Sequence, residues 1–268
     1  MHRRLAFYLF FLFPLTSVQI LNGEPVGSAR NAPTKVVIAI AEPGYHTDKT
    51  LPALAEKIWT KERGYELSII QGDPDKHDLA GLDTALKDAD VLVMSVRRQA
   101  LPAAQLQAIR DHLAAGKPLL AIRTSSHGLT AKGKGPAGHP EWDNFDVEVI
   151  GAGFKTHAGH DLIATFTAAK GAADHEILDG VELPFSSGGG IYFSTEFADS
   201  VKPLLIGKLE GHEPEPVAWT NTFGKAKVFY TSLGQEEEFA SPSFQKLLWN
   251  AMEWLRVLPS DAPTAEGP

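Results

Sequence analysis

The chain has 268 residues, 43% of them hydrophobic and 22% charged, with 25 Lys and Arg against 33 Asp and Glu and a formal charge of −8. The hydrophobic share excludes a disordered or collagen-like chain, and the length suits one large α/β domain or two small ones. With no cysteine at all, disulfide frameworks, thiolate zinc sites, iron–sulfur clusters and cysteine nucleophiles are excluded, and the acidic balance offers no electrostatic footprint for nucleic acid.

His2-Arg3-Arg4, the apolar run Leu5 to Leu15 and the small residues Gly27-Ser28-Ala29 read as a secretory signal peptide over 1–29. The run is shorter than the roughly 20 residues a permanent span needs. The expectation is a secreted or periplasmic protein with no stable membrane span after cleavage. From residue 30 to 258 the sequence reads as one α/β domain.

Lys35 to Ala41 is a continuous apolar, β-branched run of the kind buried on both faces of a parallel sheet. Leu51 to Glu62 carries apolar residues at helical spacing, Tyr65 to Ile70 reads as a second strand, Leu79 to Ala89 as a helix and Ala89 to Ser95 as a third strand. Pro102 and Gly116 bracket a helix, and Pro118 to Arg123 is a fourth strand. This alternation predicts a doubly wound, mostly parallel sheet with helices on both faces. The second half is less regular. Asp161 to Thr167, Val201 to Leu209, Pro216 to Thr222 and Lys227 to Ser232 read as strands, the last two joined by a turn at Phe223-Gly224-Lys225. A closing helix starts at Ser241-Pro242, and 259–268 is a Pro-rich, polar segment with nothing to bury, expected to be disordered.

In an open parallel sheet ligands bind beyond the carboxyl ends of the strands. Glu42, Tyr45 and His46 follow the first strand, and Arg97 and Arg98 follow the third. Paired guanidinium groups favour anionic or polyhydroxylated ligands. After the fourth strand, Arg123-Thr124-Ser125-Ser126-His127-Gly128 is a small polar turn in which Thr124-x-Ser126-x-Gly128 is a degenerate nucleophile elbow; the alternative for its hydroxyls is helix capping. Five of the ten histidines, His127, His139, His157, His160 and His175, fall between this turn and the middle of the irregular half. They suit general acid/base work, while imidazole and carboxylate ligands leave a divalent metal chemically open. His112 and His77 read as structural, and Glu236-Glu237-Glu238 reads as a solvated face. Trp142, Trp219 and Tyr192 offer rings for stacking on a sugar.

Pro216 to Thr220, Gly224 to Gln235 with its Ser232-Leu233-Gly234 step, and Leu248 to Trp254 resemble the closing signature of the ThuA-like (trehalose utilisation) family. His139-Pro140-Glu141-Trp142, Gly151 to Phe154 with His157, and the stretch from His175 to Tyr192 are similar to its middle. The resemblance implies a class I glutamine amidotransferase-like, flavodoxin-like fold and a role in carbohydrate use. Relatives of that fold carry a nucleophilic Cys at the elbow; Ser126 stands in its place here, and Gln235 stands where many family members have His.

These readings converge on general acid/base chemistry on a small carbohydrate, such as a sugar or keto-sugar derivative, with His127 and then His157 moving protons and Arg123, His46, Arg97, His139, Tyr192 and Gln235 holding substrate. Two alternatives remain: a Ser126-dependent hydrolase, and a non-catalytic sugar- or partner-binding module. The cofactor is left unknown and a homo-oligomer is left open.

Overall fold

The computed structural model describes residues 32–73 and 75–256; the expected signal peptide over 1–29 and the tail over 259–268 lie outside the described residues. The first half alternates as its periodicity predicts, through β1 (Thr34–Ala41), α1 (Thr47–Ile58), β2 (Tyr65–Gln71), α2 (Leu82–Asp88), β3 (Val91–Val96), α3 (Ala103–Ala114) and β4 (Leu119–Ile122). The second half holds β5 (Gly153–His157), β6 (Ala164–Ala168), β7 (Phe185–Ser187), β8 (Tyr192–Thr195), β9 (Lys202–Lys208), β10 (Glu215–Phe223), β11 (Ala226–Thr231) and α4 (Pro242–Arg256).

Nine strands form one sheet in the order β2-β1-β3-β4-β11-β10-β9-β6-β7. The first five run parallel, the flavodoxin-like arrangement whose ligand crevice lies where the strand order reverses. From β11 outward every pairing is antiparallel, so the doubly wound half continues into a meander. The β10–β11 turn falls at Gly224-Lys225, inside the expected Phe223-Gly224-Lys225, with Gly224 at φ +57°. β5 and β8 form a separate antiparallel ribbon. Neither was legible in sequence, since both are short and bounded by glycine-rich loops.

β1, second from one edge of the sheet, is covered on both faces. Val36, Ile38 and Ile40 pack with Leu51, Leu54 and Ile58 of α1 and Phe244, Leu247 and Leu248 of α4. Val37, Ala39 and Ala41 pack with Leu82 and Leu86 of α2 and Leu106, Ile109 and Leu113 of α3. Each fully buried side chain of this size contributes about 1.5–3 kcal/mol. Among the described residues no helix is long and apolar enough to cross a membrane.

Helix α1 begins a turn earlier than the expected Leu51, with Pro52 inside it. Pro52 has no N–H for the Asp48 carbonyl, and the Gln71 side chain of β2 donates to that oxygen at 2.7 Å instead. Helix α2 starts later than expected because Gly81, at φ +88°, sets its boundary.

His112 sits inside the α3 packing, its Nε2 donating to the Pro118 carbonyl at 3.1 Å. Burial lowers its pKa to about 4. The unfolded chain takes this proton near pH 6.5 and the folded one only near 4. The ring's contribution is therefore intact above 6.5 and lost on acidification, at about 1.4 kcal/mol per pH unit until 4 is reached. His112→Gln keeps a donor but does not titrate, so its urea-unfolding free energy is expected to fall less steeply than the parent's between pH 6.5 and 4.5; parallel slopes would refute this.

Candidate functional site

The carboxyl ends of β1, β3, β4 and β11 are tied together by backbone and hydroxyl contacts. Arg97 N–H donates to the Ala41 carbonyl at 2.9 Å, and Arg98 and Gln99 N–H donate to the His127 and Gly128 carbonyls at 3.2 and 2.7 Å. Ser95 Oγ donates to Thr47 Oγ1 at 2.8 Å. After β1, the buried Glu42 carboxylate accepts the N–H groups of Gly44 and Tyr45 at 2.8 and 2.6 Å. Glu42 is thus committed to shaping the turn that presents Tyr45.

The turn after β4 is strained at its first residue. Arg123 has φ +46°, a left-handed conformation that costs about 1–3 kcal/mol in a non-glycine residue. Its side chain is only 1% exposed. Nη1 donates to the Ser232 carbonyl at 2.6 Å and Nη2 to the Gly189 carbonyl at 3.2 Å. The guanidinium carbon lies 4.3 Å from the Tyr45 ring centre and 4.7 Å from that of Tyr192, a cation–π arrangement strengthened by desolvation. Tyr230 Oη donates to the Arg123 carbonyl at 2.9 Å and holds the strained backbone from below. Arg123 Nε is buried without a partner.

Beyond β11, Glu238 is 2% exposed, a correction to its expected place on a solvated face; Glu236 and Glu237 do face solvent. Its carboxylate accepts the N–H groups of Gly234 and of Gln235, the latter at 2.8 Å. Burial raises the Glu238 pKa while the Arg123 charge and these N–H groups pull it down. The signal in sequence was the spacing: a carboxylate three and four residues beyond Gln235 and Gly234 can close the turn they form.

These elements surround a cavity of about 590 Å³ lined by Tyr45, Arg97, His160, Gln235, Glu237 and the glycines 44, 188 and 189. Its far wall is the Gly188-Gly189-Gly190 strap. Gln235 Nε2 donates to the Gly189 carbonyl at 2.6 Å, and His160 Nδ1 lies 3.3 Å from the same oxygen. Gly189 has φ +88°, and a Cβ there would lie 2.3 Å from Gln235 Nε2; only glycine permits so close an approach.

Of the residues expected at a substrate site, the structure brings Arg97 and Gln235 to this cavity, with Arg123 and Tyr192 packed behind its wall. Three others lie elsewhere. His46 is exposed, at φ +54° ahead of α1 with no side-chain capping bond. His139 donates through Nδ1 to the Ala100 carbonyl at 2.8 Å and holds a loop, in concert with His77, whose Nδ1 accepts the Ala100 N–H at 3.1 Å. His157 is exposed and donates to the Ala158 carbonyl at 2.8 Å, but its ring centre is only 5.0 Å from that of His160.

His127 and Ser126 border a smaller cavity of about 130 Å³, with Thr130, Asp143 and Phe154. Burial, with Arg98, Arg97 and other cations nearby, lowers the His127 pKa to about 3. This environment favours the neutral ring, unlike the unperturbed imidazole of the sequence expectation. It stacks on Phe154, with ring centres 4.2 Å apart, and lies 5.8 Å from Tyr192. Ser126 Oγ lies 3.2 Å from His127 Nδ1 and donates to the Arg123 carbonyl at 3.3 Å. The strained apex of the elbow is Arg123 rather than Ser126, and among the described residues no carboxylate is hydrogen-bonded to the His127 ring to orient it as a triad requires.

Trp142 and Trp219 are both buried, their indole N–H groups donating at 2.8 Å to Glu148 and to the Ile150 carbonyl. Neither offers a free face to a sugar. Among the described residues no three His, Asp or Glu side chains gather as metal ligands.

A family model described as ThuA, trehalose utilisation, matches residues 35–255, and the chain belongs to that family. Similar solved structures include a ThuA-like protein from Bacteroides uniformis ATCC 8492, at 17% identity and a TM-score of 0.64 over 87% of this chain and 95% of that one. Another, from Parabacteroides merdae ATCC 43184, is 11% identical with a TM-score of 0.61, covering 84% and 90%. A cytoplasmic protein from Salmonella typhimurium is 12% identical with a TM-score of 0.55, covering 82% and 98%. At such identities the likeness is one of fold. No curated protein matches the sequence.

Replacing Arg123 with Met keeps the stem and removes the charge, leaving the Ser232 carbonyl without its donor and Glu238 without its nearby cation. Urea unfolding at pH 7 is expected to show a loss of about 3 kcal/mol; a loss below about 0.5 kcal/mol would show that the guanidinium does not hold the site together.

Proposed function

We propose that this member of the ThuA family binds a sugar or keto-sugar derivative in the 590 Å³ cavity and moves protons on it through His160, with His157 beside it. The observation that carries this reading is the convergence, at the carboxyl edge of the parallel strands, of an imidazole, a carboxamide, a guanidinium and a phenol on one polar space. Hydroxyl-rich ligands need such a mixture of donors and acceptors, and the rim position of His160 gives it access to both solvent and ligand. The family's link to trehalose utilisation supports the substrate class. The basic start and apolar run before residue 30 support export, so the reaction is assigned to a periplasm or the cell exterior.

In this reading Arg97 and Gln235 hold ligand oxygens directly. Arg123 and Tyr192 act through the wall they build, and His127, as a neutral ring, positions Tyr192 and Phe154. An isomerisation, hydration or elimination beside an oxidised carbon requires only that a proton be removed at one atom and delivered at another, work for which His160 lines the cavity and His157 stands behind it, their ring centres 5.0 Å apart.

A screen against keto-sugars and glycosides, run with and without chelator, is expected to show turnover that His160→Gln reduces at least about 100-fold in kcat. Thermal unfolding of this variant should match the parent's, since the side chain is exposed. Undiminished turnover would remove His160 from the chemistry. A fluorophosphonate probe is expected to leave Ser126 unlabelled, because no oriented base activates it; covalent labelling there would replace this reading with the hydrolase.

A further inference from the structure

We propose that the ligand of this cavity is an acidic sugar, and that its carboxylate takes the position that the Gly189 carbonyl now fills. The inference rests on the cavity being a carbohydrate site and names the class of carbohydrate. Two N–H donors already converge on the Gly189 oxygen, Gln235 Nε2 at 2.6 Å and Arg123 Nη2 at 3.2 Å, with His160 Nδ1 3.3 Å away. A carbonyl oxygen has two lone pairs, so the donors saturate it. Arg123 Nε, in a side chain 1% exposed, has no acceptor at all, and Arg97 brings a second guanidinium to the same space. The N–H donors gathered there exceed what one carbonyl oxygen can accept.

A carboxylate supplies two oxygens, about four lone-pair positions and a full charge where the carbonyl offers only a dipole. Its planar pair of oxygens matches the fork of a guanidinium. The strap can yield its place because it consists of Gly188, Gly189 and Gly190, with the last two at φ +88° and +65° and no side chains to withdraw. The acceptor is limited to a single negative charge, because Glu237 lines the cavity and Glu238 is buried at its back. A phosphate ester would bring close to two charges against these carboxylates.

The test is calorimetric titration of the full chain with matched pairs: glucose against gluconate and glucuronate, cellobiose against cellobionate, and glucose 6-phosphate as the dianion. The acid of a pair is expected to bind at least about tenfold more tightly than its neutral partner, an advantage that shrinks with added salt. Arg97→Gln and Gln235→Leu should each weaken the acid more than its neutral partner, so that the ratio of the two affinities falls by at least about fivefold; an unchanged ratio would overturn the inference. Arg97 is exposed, so its variant folds as the parent does, and matching thermal unfolding confirms this. Equal affinity for acid and neutral sugar would overturn the acidic-ligand inference and leave the carbohydrate reading standing. Tighter binding of glucose 6-phosphate than of either sugar acid would overturn the limit to one charge. Binding of none of these at millimolar concentration would overturn the carbohydrate reading and the inference with it.

Discussion

The guanidinium of Arg123 is the group on which the rest of the site depends. A charge removed from water is stable only where its surroundings replace the lost hydration, and here the replacement comes from three separate parts of the chain. The loop after β1 supplies the Tyr45 ring, the start of β8 the Tyr192 ring, the strap the Gly189 carbonyl, and the end of β11 the Ser232 carbonyl. Glu238 adds a buried carboxylate whose charge Arg123 favours. The segments around Tyr45, Gly189 to Tyr192 and Ser232 to Glu238 are far apart in sequence, so the cation acts as the common point to which loops from both halves of the sheet are drawn. Its strained backbone is held by Tyr230 from β11, which fixes the strain from the rigid side of the sheet rather than from the loops.

A consequence concerns what the turn after β4 can do. In hydrolases built on a strand-to-helix elbow, the strained residue is the nucleophile, pushed out toward the ligand. In this chain the strained position holds an arginine whose side chain is folded inward beneath two aromatic rings. The strain therefore serves to bury a charge instead of exposing a reactive atom. Ser126, three residues on in a tight helical turn, has a neighbouring imidazole but no group to orient that imidazole. The sequence has no cysteine to act as nucleophile, and the left-handed residue of the turn is Arg123 rather than Ser126.

How much of this was legible in sequence depends on how local the deciding physics is. The parallel strands were legible because a strand buried on both faces carries a continuous apolar run, as Val36 to Ala41 in β1, Val91 to Met94 in β3 and Leu119 to Ile122 in β4 do. The helices between them announced themselves through periodicity, with Pro102 and Gly116 marking both ends of α3. Arg97 and Arg123 were legible as candidates because each directly follows a strand end, where such sheets place their ligands, whereas Gln235, four residues beyond β11, stood out only through the family resemblance. Three things were not. The burial that holds His127 neutral comes from Phe154 and Tyr192, which are distant in sequence. The same is true of Glu238, whose carboxylate looks solvated beside Glu236 and Glu237 until the turn at Gly234 folds it inward. His139 lies in a block shared with the family, yet its ring is spent on the Ala100 carbonyl, a distinction that requires knowing which loop is its neighbour.

The strap gives the cavity an asymmetry with chemical consequences. A methyl group at Gly189 would lie 2.3 Å from Gln235 Nε2, and one at Gly190 would lie 2.5 Å from the Gly159 carbonyl, so backbone here comes closer to the site than any side-chain-bearing chain could. One wall is therefore made of peptide groups alone, which present hydrogen-bonding edges but no shape of their own. The rest of the lining includes Tyr45 and Arg97, on the loops that follow β1 and β3, and His160, whose loop packs on the strap itself. On the proposed reading, discrimination between ligands would rest on the side chains of Tyr45, Arg97, His160 and Gln235, because the glycines present only peptide groups that are the same for every ligand.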